Sequence, residues 1–236
     1  MANGKIAMHY FIINTKNFLE TSGKKLDHFA SYVANAQNLG RKNQIFLAVP
    51  AFELHYLHSK YPRIRLLAQH LDDARVGPST GALVPEIAKI SGAFGSIINH
   101  SEHRIDESSI VQIVKRLRDL KMVSIVCARD DDEVARLSIC NPDFIAVEPP
   151  ELIGSGRAVS RASPDIITRS KSALEKSKGP DSNTRLLCGA GIINRDDACM
   201  AVKLGAEGIL VASGVVLSKN WKDKIAELSK GLSDSS

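Results

Sequence analysis

Three apolar runs in this sequence end in side chains that can move or steady a proton. Glu148 follows Phe144-Ile145-Ala146-Val147, His100 follows Ile97-Ile98-Asn99, and Lys16 follows a run that closes on Asn14-Thr15. Two further runs end in small-residue turns, Gly189-Ala190-Gly191 and Ala212-Ser213-Gly214. A carboxylate can take a proton from carbon beside a carbonyl, while a neutral imidazole and an ammonium group stabilise the oxygen on which charge develops. Backbone N–H groups in glycine-rich turns and at helix starts hold phosphate. The set therefore suits proton abstraction next to a carbonyl on a small phosphorylated substrate, a reaction that needs no metal and no organic cofactor.

Each member alone has a plainer reading. A lysine after a strand is usually solvated, a histidine at a strand end is usually a structural hydrogen-bonding group, and Glu148-Pro149 could be a carboxylate that satisfies backbone donors. His100, Glu102 and His103 crowd together like metal ligands, but successive residues leaving a strand diverge, so no metal is expected. The weight lies in the constellation, which requires that all these run ends face one mouth.

The spacing of the apolar residues predicts elements that would do this. Strand-like runs fall at 6–14, 45–49, 64–69, 96–99, 123–127, 144–147, 185–188 and 208–211. Between them lie amphipathic segments at 19–39, 52–60, 84–91, 105–120, from 130, 164–176 and 195–204, with a last one at 221–232. Gly40, Gly92 and Gly205 read as helix stops, and Ser163 and Asn194 as N-caps. Near-continuous apolar strands alternating with helices indicate parallel strands covered on their outer face. Eight such units predict one α/β domain over 1–236, a (β/α)8 TIM barrel whose catalytic residues sit where strands end. An open doubly wound sheet is the competing arrangement. It would place a glycine-rich phosphate loop after the first strand, where Asn14-Thr15-Lys16 stands instead.

Composition narrows the function classes. Charged residues are spread along the chain, the net charge is +5 and aromatics make up only 5%, so nucleic acid is not an expected partner. No apolar run reaches membrane-spanning length. Cys127, Cys140, Cys188 and Cys199 lack CxxC spacing and read as reduced cysteines of a cytoplasmic protein.

The motifs together resemble the triosephosphate isomerase family, in particular its shorter archaeal type. They are Asn14-Thr15-Lys16, Ala68-Gln69-His70, Gly77-Pro78-Ser79-Thr80-Gly81, Asn99-His100-Ser101-Glu102, the stretch Val147-Glu148-Pro149-Pro150-Glu151-Leu152-Ile153-Gly154-Ser155-Gly156, Cys188-Gly189-Ala190-Gly191-Ile192 and Leu210-Val211-Ala212-Ser213-Gly214-Val215. The resemblance implies an aldose-ketose isomerase of glycolysis and gluconeogenesis. It would interconvert dihydroxyacetone phosphate and D-glyceraldehyde 3-phosphate through an enediolate. It further implies Glu148 as the base, His100 as a neutral electrophile beside a helix start after Ser101, and Lys16 as the cation, with Asn14 as a substrate contact. Ile153 and Gly154 would belong to a mobile lid, and Gly191, Ala212 and Ser213 to the phosphate turns. Glu102 would support Lys16, and Thr80 would enter a neighbouring subunit's site, so a homodimer or homotetramer is expected. Thr15, Ala82 and His103 depart from the family pattern. Two other readings stay open on the residues alone: a barrel acting on a different sugar phosphate, and a barrel that binds a phosphorylated ligand or a protein without turnover.

Overall fold

A computed structural model describes residues 8–39, 43–149 and 164–234. Gly40, the lid positions Ile153 and Gly154, and Ser163 lie outside the described residues. Eight strands, all parallel to their neighbours, close into a barrel in chain order. They are β1 His9–Asn14, β2 Asn43–Val49, β3 Arg65–Ala68, β4 Gly95–Ile98, β5 Val123–Ala128, β6 Phe144–Val147, β7 Arg185–Cys188 and β8 Gly208–Val211. Among the described residues, the helices outside them are α1 Lys24–Leu39, α2 Leu54–Lys60, α3 Pro85–Ile90, α4 Glu107–Asp119, α5 Asp131–Ser138, α6 Pro164–Ser177, α7 Arg195–Lys203, α8 Ser213–Val216 and α9 Trp221–Ser233.

Side chains alternate along a strand, and here the two faces build two separate cores. Ile12, Phe46, Leu67, Ile125, Phe144 and Leu210 fill the barrel interior. Phe11, Ile13, Leu47, Val126 and Ile145 point the other way and pack under Leu26, Phe29, Ile113 and Leu117 of the helices. Burying one such side chain fully is worth about 1.5–3 kcal/mol. The seam between β1 and β8 depends on a missing side chain: a Cβ at Gly208 would fall 2.1 Å from the Tyr10 carbonyl oxygen.

Several helix starts follow from capping chemistry. The Asp106, Asp130, Asn194 and Asn220 side chains accept from the N–H groups of Ser109, Glu133, Asp197 and Asp223, and Asn194 with Asp197 forms a reciprocal capping box. Three expectations are corrected. The segment expected to be helical over 19–39 is split into a 3-10 turn at Leu19–Thr21 and α1 from Lys24, because Gly23 between them takes a left-handed φ of +54°. No helix starts after Ser101; residues 101–103 form a turn and α4 begins only behind its Asp106 cap. The short helix α8 directly after β8 had no signal in the apolar pattern, being only one turn long.

Candidate active site

The alternation that fills the barrel continues past the strand ends. Two residues beyond inward-facing Ile12, Leu67, Ala146 and Leu187 come Asn14, Gln69, Glu148 and Gly189, while Cys127 is itself an inward residue of β5. The mouth is thus lined by the next layer of the same side-chain register. Lys16 belongs to it as well, two residues beyond Asn14.

His100 does not fit that parity, since it directly follows Asn99, whose neighbour two back is inward-facing Ile97. Asn99 resolves the mismatch by adopting a left-handed φ of +60°. Its side chain holds the bend by donating to the Cys127 carbonyl at 3.0 Å and accepting from the Ile105 N–H at 3.2 Å. His100 is thereby turned towards the mouth, where its Nε2 lies 3.4 Å from Glu148 Oε1. The Glu102 N–H donates to His100 Nδ1 at 3.1 Å, which leaves the ring's own proton on Nε2, facing Glu148. Burial, and then the positive charge of Lys16, lower the His100 pKa to about 4, so the ring is neutral at pH 7. The expected helix start plays no part in this.

Glu148 is 1% exposed. Burial raises its pKa to about 7; the Ser101 N–H at 3.5 Å, a hydrogen bond from the Cys127 thiol, and the charges of Lys16 and Arg104 pull in the opposite direction. Gly189 shapes the same pocket. A Cβ there would sit 2.5 Å from Glu148 Cγ and 3.3 Å from Oε1. Any side chain at position 189 would therefore displace the carboxylate.

Lys16 stands on the opposite, wetter side. Its Nζ lies 2.6 Å from Glu102 Oε1, on a carboxylate whose side chain is 56% exposed. The Lys16 backbone is left-handed, with φ +46°, and its N–H donates to Asn14 Oδ1 at 3.0 Å. Asn14, Lys16, Gln69, His100, Glu102 and His103 line a cavity of about 570 Å³ on this side of the mouth.

The turns after β7 and β8 lie against each other, since a Cβ at Gly214 would meet the Ile192 carbonyl at 3.0 Å. Gly191 has φ +66°, Ala212 precedes α8, and Ser213 opens it with its side chain exposed. Thr80 is exposed on the third loop and does not line the cavity of its own chain. Among the described residues there is no cluster of three or more side chains arranged to hold a metal ion, and no helix long and apolar enough to cross a membrane. Cys127, Gly189, Arg104 and Gln69 also shape the site, although residue type alone singles out none of them. Strand parity was the signal available for three: Cys127, Gly189 and Gln69 all fall on the inward register.

A family model described as triosephosphate isomerase matches residues 9–228. The chain belongs to the triosephosphate isomerase family. The triosephosphate isomerase of Cenarchaeum symbiosum (strain A) is 46% identical over 223 residues, covering 94% of this chain and 97% of the relative. That of Methanothermobacter thermautotrophicus (strain ATCC 29096 / DSM 1053 / JCM 10044 / NBRC 100330 / Delta H) is 40% identical over 217 residues, covering 92% and 93%. A crystal structure of triosephosphate isomerase from Bartonella henselae superposes with a TM-score of 0.71 at 19% identity, over 94% of this chain and 97% of that one. At that identity the likeness speaks to the fold, the closed eight-stranded barrel. The relatives speak to the family, and a triosephosphate isomerase is an isomerase.

Proposed function

We propose that the chain interconverts dihydroxyacetone phosphate and D-glyceraldehyde 3-phosphate, the isomerisation shared by glycolysis and gluconeogenesis, with Glu148 as the base. The ionised Glu148 takes a proton from C1 of the ketone, and the C2 carbonyl oxygen gains the charge that the C–H bond releases. The Lys16 ammonium and the His100 Nε2–H stabilise that oxygen; His100 gives its Nε2 proton to O2 and takes the hydroxyl proton from O1, and Glu148 returns the carbon-bound proton to C2, which leaves the aldehyde at C1. Asn14 contacts the substrate, and Glu102 holds Lys16. The turns at Gly191, Ala212 and Ser213 bind the phosphate, with Ile153 and Gly154 as further substrate contacts.

The observation that carries this reading is the pairing of two shifted groups at 3.4 Å. Glu148 has its pKa raised to about 7, and His100 is held neutral with Nε2–H turned towards it. A base poised near the working pH is what proton transfer from carbon requires. The test is a coupled isomerase assay on the purified protein and its Glu148→Gln variant. Wild-type turnover with a loss of about 10³-fold or more in the variant is expected; a variant within tenfold of wild type would remove Glu148 from the role.

The active form is proposed to be a homodimer or homotetramer. The third loop presents exposed Val76 and Thr80, and exposed Phe52 borders the cavity beside Lys16, so an apolar tip and an open cleft stand ready for a second copy. Light scattering across a concentration series separates dimer, tetramer and monomer, and a monomer at all concentrations would reject the assignment.

A further inference from the structure

Lys16 is a long side chain in a backbone conformation that residues with a Cβ rarely adopt, at φ +46°. Such a conformation persists only where its surroundings over-determine it. What surrounds it comes largely from one residue on another strand. Gln69, just past the end of β3, directs its Nε2 at three oxygens of the first turn. These are Lys16 O at 2.9 Å, Asn14 Oδ1 at 3.2 Å and Thr15 Oγ1 at 3.2 Å. Two of these, Lys16 O and Asn14 Oδ1, only accept, and they fix the orientation of the amide, since the flipped form would bring Oε1 against both.

The bonds close into a ring. Asn14 Oδ1 accepts from both Gln69 and the Lys16 N–H, and Lys16 O accepts from Gln69, so the Lys16 peptide is tied at both ends. Thr15 anchors the ring to the barrel wall. It is fully buried, its hydroxyl donates to the Ala48 carbonyl at 3.1 Å while accepting from Gln69, and its N–H donates to the same carbonyl at 3.0 Å. Glu102 holds the far end of the side chain.

We infer that Gln69, seated on the Thr15 hydroxyl, is a positioning residue that holds the Lys16 backbone in its left-handed conformation and so aims the ammonium across the mouth. This rests on the reading of Lys16 as the cation that meets the substrate. Gln69 needs no contact with substrate for this. Its effect is transmitted through the Lys16 peptide, and a displacement of about 1 Å at a catalytic group can cost about 10²-fold in rate.

The test is a double-mutant cycle read as kcat/KM in the coupled assay, with thermal unfolding of each variant alongside. Lys16→Ala, Gln69→Met and the double variant form the cycle; Met keeps the length of the side chain and removes the donor. Gln69→Met is expected to lose about 10²-fold in kcat/KM in the Lys16 background and little or nothing further once Lys16 is Ala. A merely structural role predicts a loss that persists in the Lys16→Ala background, and that result overturns the inference, as does Gln69→Met at wild-type kcat/KM. If Lys16→Ala itself stays near wild type, the reading of Lys16 fails and the inference falls with it. A collapse in Lys16→Ala beside an unaffected Gln69→Met rejects the positioning role alone. Should Gln69→Met not fold, Thr15→Val and Thr15→Ser carry the same question. Val removes the hydroxyl at equal shape and is expected to lose about tenfold, whereas Ser restores most of it. Equal rates for the two reject the anchor.

Discussion

The two sides of the mouth hold opposite charges by opposite means. On the β5–β7 side, Glu148 is 1% exposed and walled by Cys127, Gly189 and His100, and its environment acts mainly on its proton affinity. On the β1–β4 side, Lys16 borders an open cavity and pairs with a half-exposed Glu102, and its environment acts mainly on its direction, through four hydrogen bonds at Asn14, Lys16 and Gln69. The difference follows from what each group is proposed to do. A base must change protonation state during turnover, so its pKa has to be moved towards neutrality, and desolvation does that. A cation proposed to meet one developing oxygen has to be aimed at it.

The largest break in this contrast comes from Glu148→Gln, which should lose turnover and gain stability. A Glu148 pKa raised from 4.5 to about 7 means that the folded state binds the proton more tightly than the unfolded chain. Its stabilising contribution is therefore complete below pH 4.5 and is lost as pH rises through 7. The Gln variant escapes that loss, so it should exceed wild type by about 3 kcal/mol above pH 8 and by nothing below pH 4.5. His100 runs the other way. With its pKa lowered from 6.5 to about 4, its contribution is present above pH 6.5 and is lost as pH falls through 4. Between pH 4.5 and 6.5 the two slopes cancel in the wild type. In Glu148→Gln the histidine slope is exposed, and stability should rise with pH at about 1.4 kcal/mol per unit. Denaturant unfolding across pH 4 to 8 reads this directly; parallel curves for the two proteins would mean that the dry side does not shift Glu148.

Gly189→Ala tests the walls of that side without replacing a titrating group. The added Cβ would overlap Glu148 Cγ, and a loss of about 10²-fold in kcat/KM is expected. Unchanged kinetics would show that the carboxylate has room to move. In activity, kcat/KM should climb along an acid limb with an apparent pKa near 7, with no further limb from His100 above pH 5. The smallest effect belongs to the wet side. Glu102→Gln removes the partner of Lys16 Nζ, yet that carboxylate is largely in water, so a loss of about fivefold or less is expected. A loss of several hundredfold would mean that Glu102 shapes the reaction as closely as Glu148 and would erase the contrast.

Much of the barrel was legible because apolar runs and helix capping are local. The strands at 123–127, 144–147, 185–188 and 208–211 begin where the apolar runs begin, and the Asn194 cap forms its box within four residues. The first helix was drawn too long because helical periodicity at 19–39 ignores what Gly23 does to the backbone. The place of α8 was legible only as a glycine-rich turn, since four residues carry no period.

By itself, the sequence determined that eight near-continuous apolar strands, covered by helices, would bury both faces and that Glu148 and Lys16 would stand at strand ends. Those are consequences of apolar runs and helical periods that each element carries alone. The tertiary structure decided what depends on partners far along the chain. The left-handed bend at Asn99, held by a carbonyl of β5, turns His100 into the mouth against its parity. The absence of a side chain at Gly189, 41 positions after Glu148, makes the dry pocket that shifts its pKa. An amide 53 residues beyond Lys16 holds that backbone where the lysine can be aimed. Periodicity fixes which way a side chain faces; only closure of the barrel fixes what it meets there, and with that its proton affinity and its direction.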